Sequence, residues 1–500
     1  MSEFNFAAVF GNGMVLQRDK PIKIWGNDGD GTEITVVLNN KKRRCFPQNG
    51  VWECNFPPMP GGLIISITAS QGDADMKLTD VAIGDVWIAG GQSNMEFFLK
   101  YEKHWEETKS KCYGDMIRMY TCPRRCYSEQ EIYQSDVGHW FKEGDEQWEK
   151  FSAPGYYFAM YLQPELEIPV GIISCNWGGT SASAWLPASK LVKEPLCIYL
   201  EDYESEKSKL SCEEIIKKSA EGWALQKNEE HKKDWAKVMY GLNREQQLAR
   251  MVRCAGNPVV PMGPYNKNRP GSLYENMVKP LAGLSVKGVI WYQGENDVHH
   301  AELYAILFER MIDAWREIFG SDMPILYAQL APFGVWMALD GHNFPMIRIQ
   351  QEKVSEEHPS CYMTTTGDIG DRIDIHPKEK RELGRRFALL AEEKIYGMNT
   401  RGMPPKLSEM RVEGNSRIVL IFSNSYGGMF IYGDKLNDLR ITEDGEKIEV
   451  VRCEADGSTV LIDCAGLHRE KQLKIEFGQS ADSVINLYNS NGVPAIPFVR

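Results

Sequence analysis

With 500 residues the chain is too long for one ordinary domain, and its length suggests roughly two to four. Its 43% hydrophobic and 25% charged residues are the balance of a folded chain with a large buried core. A formal net charge of −12 argues against a nucleic-acid binder, which would carry a basic face, and no apolar run is long enough to span a bilayer.

Residues 1–78 read as short strands separated by turns. Ile22-Lys23-Ile24-Trp25 alternates, Gly26 to Gly31 punctuates, and Glu33-Ile34-Thr35-Val36-Val37-Leu38 follows. Val51 to Phe56 and Leu63 to Thr68 repeat the pattern. Strands at this spacing predict an N-terminal unit resembling a small β-sandwich. Residues 79–398 change texture. Short apolar strands such as Asp85-Val86-Trp87-Ile88-Ala89 and Val289-Ile290-Trp291-Tyr292 run into glycine and polar residues. Helical stretches are expected between them, over 213–255, 300–319 and 378–396. Strand, polar loop and helix in alternation predict an open α/β sheet. Residues 399–500 return to strand texture, as in Arg417-Ile418-Val419-Leu420-Ile421-Phe422, and predict a second β-rich unit.

In an open α/β sheet the active site lies beyond the carboxyl ends of the strands. Four strand ends carry chemistry. Gly90-Gly91-Gln92-Ser93-Asn94-Met95 places a serine behind two glycines, which allow a tight turn and close backbone approach. Ser93 reads equally as a nucleophile or as the cap of a following helix. Trp177-Gly178-Gly179-Thr180-Ser181 offers glycine N–H groups that could face an oxyanion, although paired glycines also mark simple turns. Gln293-Gly294-Glu295-Asn296-Asp297 crowds polar side chains on one strand end. The Gln293 and Asn296 amides donate without titrating, which suits an oxyanion hole, and Glu295 could orient a partner or bind a sugar hydroxyl. Asn296 or Asp297 is expected to cap the helix that starts near 300. Finally, Asp368-Ile369-Gly370-Asp371-Arg372-Ile373-Asp374-Ile375-His376-Pro377 brings one of nine histidines close to three aspartates. An imidazole that takes a serine proton needs a group to fix its tautomer, and Asp374 and Asp371 are both candidates.

Together these segments resemble the sialate O-acetylesterase family of SGNH hydrolases. The resemblance rests on Gly91-Gln92-Ser93-Asn94-Met95, Tyr292-Gln293-Gly294-Glu295-Asn296 and Asp374-Ile375-His376-Pro377. Gly13-Met14-Val15-Leu16-Gln17-Arg18 and Asn486-Leu487-Tyr488-Asn489-Ser490-Asn491-Gly492-Val493-Pro494 match the family's terminal signatures, so it spans nearly the whole chain. It implies an SGNH-hydrolase-like open parallel sheet with helices on both faces, flanked by β-rich units. It also implies a serine esterase that removes acetyl groups from sialic acid, at the 9-position, without metal or organic cofactor. Ser93 matches the family's nucleophile and His376 its base, while Gly178 or Gly179 matches the oxyanion glycine. Asn296 is the first choice as side-chain oxyanion donor and Gln293 the second. In many SGNH enzymes the carboxylate lies three residues before the histidine, where this chain has Ile373. Asp374 is therefore preferred and Asp371 kept, and if neither reaches the ring a backbone carbonyl would orient it.

A sialic acid carboxylate would want a cation. Arg372 is the candidate, although an ion pair with Asp371 or Asp374 is the plainer expectation. Trp177 and Trp291 could line a sugar pocket, and are more readily read as core. Two other functions fit the same residues: an acetylesterase for xylan or another acetylated glycan, and a non-catalytic carbohydrate-binding protein on an esterase scaffold. The second predicts a broken catalytic position, and none is visibly broken. The expected partner is an O-acetylated carbohydrate, with no nucleic acid and no membrane; the sequence leaves the oligomeric state open. None of the twelve scattered cysteines forms a Cys-x-x-Cys pair, and Met1-Ser2-Glu3-Phe4-Asn5-Phe6 lacks the basic and apolar regions of a signal peptide. A cytoplasmic setting with reduced thiols is the simpler expectation.

Overall fold

The strand Ala74–Gly91, 18 residues long, belongs to two units at once. Its first part pairs antiparallel with Ile64–Gln71, as a hairpin of the N-terminal unit. Its last part, from Asp85, pairs in parallel with Val170–Asn176 on one side and Gly288–Tyr292 on the other. The strand alternates between exposed and half-buried residues up to Asp80, then is buried without interruption from Val81 to Gly91. That change marks its passage from a two-faced antiparallel sheet to the covered centre of a parallel one. The expected domain boundary at 78/79 falls inside this strand. The computed structural model describes residues 3–111, 114–131, 138–254, 257–336, 339–468 and 472–500.

The central sheet runs Trp140–Lys142, Ile117–Thr121, Val170–Asn176, Ala74–Gly91, Gly288–Tyr292, Ile325–Ala328, Cys361–Thr364. All neighbours are parallel except the edge strand Trp140–Lys142. Setting aside the first two, the order of the remaining five by chain position is the flavodoxin-like 2-1-3-4-5, whose crevice lies at the end of the first strand. Helices cover both faces. A Cβ on Gly155, in the helix Ala153–Leu166, would lie 3.2 Å from the Ala89 Cβ, while one on Gly90, the next residue, would meet the Trp291 and Trp315 rings. Successive side chains of a strand point to opposite faces, so the helix Tyr304–Phe319, which carries Trp315, lies on the other side. That helix buries Tyr304, Leu307, Phe308, Met311, Ile312, Trp315 and Phe319, the stripe of an amphipathic helix. The helix Arg381–Lys394 packs against Ala153–Leu166, with Gly384 in close backbone approach to Tyr157 and Phe158.

The expected helical stretch 213–255 is three helices, Cys212–Lys227, Glu229–Ala236 and Arg244–Cys254, with a π-turn at Lys237–Gly241. Asparagines make the breaks: the side chains of Asn228 and Asn243 accept the N–H groups of His231 and Gln246 at the starts of the next helices. Residue 255 lies outside the described residues. The N-terminal unit faces a three-stranded sheet, Asn5–Phe6, Ile22–Asn27 and Val51–Phe56, against the strands Ile34–Leu38, Lys41–Cys45 and Ile64–Gln71. Its core, including Ile24, Trp52, Ile34, Val36 and Ile67, is continuous with that of the α/β unit. The C-terminal unit has two four-stranded antiparallel sheets and a separate core that includes Ile418, Leu420, Ile441, Ile462, Ile475 and Phe477. Buried Arg348 docks this unit by donating to the carbonyls of Gly478, Ser480 and Ala481.

Candidate active site

The segments expected to carry chemistry meet at the carboxyl end of the Ala74–Gly91 strand. Gly91 has φ +136°, and a Cβ there would lie 2.1 Å from the Tyr292 carbonyl oxygen, so only glycine fits. The chain then turns into the short buried helix Ser93–Glu96. The cap position belongs to Gln92, and Ser93 is the first helical residue, so Ser93 does not cap this helix. Neither its N–H nor its Oγ makes a hydrogen bond among the described residues.

Gly178 lies against this serine: a Cβ there would be 3.2 Å from the Ser93 Cβ. Its N–H, however, donates to Glu96 Oε2 at 2.5 Å, and its carbonyl accepts from Lys267 Nζ. Gly178 is thereby clamped from both sides, which corrects its reading as an open oxyanion donor. Gly179, with φ +67°, accepts from Asn268 Nδ2 at 2.9 Å, and its N–H has no acceptor among the described residues.

Gln293 is fully buried, and its Nε2 donates to Gln92 Oε1 (3.2 Å), the Thr180 carbonyl (3.2 Å) and Asp297 Oδ2. Its Oε1 accepts from the Tyr304 hydroxyl at 3.0 Å. The amide is thus committed to holding segments together, a correction to its reading as an oxyanion donor. Asn296 is exposed and, among the described residues, donates only its backbone N–H, to Gln92 Oε1 at 3.2 Å, which leaves its side-chain amide available. Neither Asn296 nor Asp297 caps the helix Tyr304–Phe319. Asp297 instead accepts from Ser181 Oγ (2.5 Å) and the Ala182 N–H (3.0 Å), capping the short turn Ala182–Trp185.

His376 is buried, and burial holds its imidazole well below the ordinary histidine range. The nearby Lys380 and Lys378 charges push the same way, while a backbone hydrogen bond to Met239 opposes them. The Tyr240 ring packs edge-on against it at 5.2 Å. Asp374 accepts the His376 backbone N–H at 2.8 Å and pairs with Lys378 Nζ at 3.1 Å. Asp371 is exposed and accepts the N–H groups of Ile373 (2.9 Å) and Asp374 (3.2 Å). Both aspartates therefore shape the loop backbone: Asp374 through the His376 N–H and Asp371 through the N–H groups of Ile373 and Asp374.

Asn94 ties these parts together. Its Nδ2 donates to Glu295 Oε1 (2.5 Å) and to the Ile375 carbonyl (2.9 Å), and its Oδ1 accepts from Lys380 Nζ at 2.6 Å. The neighbour of Ser93 is thus bonded to the neighbour of His376. All of this is buried. Burial pushes the Lys380 ammonium down to about 7 and the Glu295 carboxyl up. Glu295 Oε2 has no hydrogen-bond partner among the described residues. Glu295 is therefore a support for Asn94, the residue that follows Ser93.

Arg372 departs from its expectation, while the two tryptophans follow the core reading. Arg372 is 79% exposed and pairs with Asp482 at 2.7 Å, so it joins neither His376, Asp371 nor Asp374. Trp291 is core, between Trp185 and Trp315. Trp177 is buried beneath Lys267 Nζ, 5.6 Å from its ring centroid. Sequence reasoning missed Glu96, Arg124, Met239, Lys267 and Lys380; of these Glu96, three residues after Ser93, and Lys380, four after His376, carried a signal, by proximity. Glu102, His104 and Glu379 come together with metal-ligand spacing. Glu102 is already engaged by the His104, Lys380 and Arg381 N–H groups and the Tyr157 hydroxyl, so it serves as a cap.

Comparison with known proteins points the same way. Residues 230–392 match the model of a family described as carbohydrate esterase, sialic acid-specific acetylesterase. That segment contains His376 and begins after Ser93. The chain is similar to the sialate O-acetylesterase of Rattus norvegicus, 26% identical over 448 residues, covering 81% of this chain and 77% of the relative. The Homo sapiens sialate O-acetylesterase is 24% identical over 434 residues, covering 79% and 71%. Among solved structures, a carbohydrate acetylesterase from Xanthomonas citri matches with a TM-score of 0.75 at 25% identity, covering 99% of both chains.

Proposed function

We propose that this chain, a carboxylic ester hydrolase of the sialate O-acetylesterase family, removes the 9-O-acetyl group of sialic acid with Ser93 as nucleophile and His376 as base. The observation that carries the pairing of Ser93 with His376 is the Asn94 bridge, which holds the Ser93 turn to the His376 loop through hydrogen bonds of 2.5, 2.9 and 2.6 Å.

In the first step Ser93 Oγ attacks the acetyl carbonyl while His376 takes its proton. Burial favours this: an imidazole held neutral at neutral pH is ready to accept. The tetrahedral oxyanion is met by the Ser93 and Gly179 N–H groups and the Asn296 amide, donors without an acceptor among the described residues. His376 then gives its proton to the departing sugar alcohol. Water attacks acetyl-Ser93 with His376 again as base, releasing acetate. Asp374 acts as a positioning residue through the His376 backbone N–H, and the Met239 backbone supports the ring. Hydrogen bonds between nucleophile and base often tighten only when substrate is bound.

The test is acetate release from 9-O-acetyl-N-acetylneuraminic acid by the intact protein and by Ser93→Ala. Turnover lost in the variant is the expected result. A folded intact protein that leaves this substrate untouched but deacetylates xylo-oligosaccharides would move the assignment to another acetylated glycan. The full-length similarity to a bacterial carbohydrate acetylesterase favours that second reading.

A further inference from the structure

We infer that Arg124, together with Lys267 and Arg269, forms a carboxylate-binding subsite beside Ser93, and this rests on the sialate reading above. The anchor is Glu96. Its Oε2 accepts from Gly178, whose ideal Cβ position lies 3.2 Å from the Ser93 Cβ, and its Oε1 pairs with the Arg124 guanidinium at 3.0 Å. Arg124 is thus one carboxylate's width from the groups that touch the nucleophile. Lys267 reaches the same place by donating to the Gly178 carbonyl. Arg269 stands behind them, donating to the Cys126 carbonyl at 3.3 Å.

Arg124 and Lys267 both reach the single Glu96 carboxylate and its Gly178 partner, with Arg269 on the adjoining Cys126 carbonyl, in a chain of net charge −12, so this corner runs against the overall charge. Its arginines are also incompletely used. Buried Arg386 fills its fork with Asp368, Glu382 and the Thr365 carbonyl. In contrast, the Nε of both Arg124 and Arg269 is buried without an acceptor among the described residues. About a third of the Arg124 side chain (33%) remains exposed, so an anion from solvent can reach its guanidinium. Arginine forks match carboxylates in a planar, two-point fashion. An O-acetylated sugar acid would present such a group while its acetyl ester reaches Ser93. Glu96 can stay on Gly178 through its Oε2 while a substrate carboxylate shares the Arg124 guanidinium.

The experiment compares, within each protein, kcat/KM for 9-O-acetyl-N-acetylneuraminic acid with kcat/KM for its C1 methyl ester. The ratio cancels any general loss of activity. The intact protein is expected to prefer the free acid by about tenfold or more, as a charge-assisted bond allows. Arg124→Gln should bring the ratio close to one, Arg124→Lys should keep part of it, and Arg269→Gln should lower it, which gives a second variant if Arg124→Gln does not fold. An intact protein that hydrolyses acid and ester equally well, or an Arg124→Gln ratio equal to that of the intact protein, would overturn the subsite and leave the sialate reading standing. Hydrolysis of 4-nitrophenyl acetate with neither sialate form accepted would overturn both.

Discussion

Replacing Asn94 by alanine tests the catalytic geometry more sharply than replacing any reacting group. The change deletes two bonds donated by Nδ2, to Glu295 and Ile375, and one accepted by Oδ1 from Lys380. Three groups are then stranded in a buried site, two of them titratable. A buried group without its partner costs about 1–3 kcal/mol, and more when charged. The sum is not additive, because Glu295 and Lys380 can draw together or neutralise each other, so a loss of about 4 kcal/mol in stability is expected. Catalysis should fall separately. The Ser93 turn and His376 loop lose their direct tie, and a misplacement near 1 Å costs about 10²-fold in rate. Urea unfolding and kcat/KM for 4-nitrophenyl acetate measure the two effects. Asn94→Leu, similar in volume but without the amide, should behave like Asn94→Ala. If either variant keeps both the unfolding midpoint and kcat/KM within twofold of the intact protein, the bridge does not position the site.

Other expectations follow from the same contacts. The acid limb of kcat/KM should lie below the ordinary histidine value, because a lowered pKa keeps His376 unprotonated, and therefore basic, to lower pH; Lys380→Met, which removes one cation opposing protonation, should move that limb upward. A limb that stays in place in Lys380→Met would show that Lys380 does not act on His376. Asn296→Ala should reduce kcat by about 10²–10³-fold while leaving the unfolding midpoint unchanged, since its side chain is exposed and unbonded, whereas Gln293→Ala should lower the midpoint. Gly91→Ala should abolish folded expression, with its Cβ 2.1 Å from a carbonyl oxygen, while Gly178→Ala, which meets Glu96 and Ser93 at 3.1 and 3.2 Å, should fold and lose activity in the aryl acetate assay. Asp374→Ala should cost more activity than Asp371→Ala, because only Asp374 accepts the His376 N–H, and equal losses would remove that distinction.

The strand-and-helix texture of the sequence was enough for an open α/β sheet between β-rich ends, because burial follows period: a continuous apolar run from Val86 to Ala89 and a helical stripe over 304–319 leave few other packings. The extent of the Ala74–Gly91 strand was not legible. Its first half alternates like an edge strand and its second half does not, so local pattern divides what pairing joins. The candidate residues were legible by type and the hydrogen bonds among them were not. Gly178 and Gly179 are identical letters, yet a Glu96 carboxylate from another segment takes the N–H of one and leaves the other without an acceptor among the described residues. Likewise Gln293 and Asn296 carry the same amide, but one is enclosed by Thr180, Asp297 and Tyr304 while the other faces outward.

Arg372 shows why chemistry and specificity differ in how far sequence can reach them. It stands four residues before His376, and closeness in the chain made it the natural cation for a substrate carboxylate. The loop turns between them: the Arg372 carbonyl accepts the Gly334 N–H at 3.0 Å, and its guanidinium goes to Asp482 in the C-terminal unit. The cations beside Ser93 come instead from residues 124, 267 and 269, in connections that follow other strands. The groups at the ends of parallel strands are brought together by sheet order itself, so recognising the sheet locates the ester chemistry. The charges around them belong to long excursions whose path the sheet does not dictate. Such excursions are free to vary the sugar presented to an unchanged Ser93 and His376, which is why the strand-end blocks speak to acetyl transfer and the Arg124 corner must be asked about the acid.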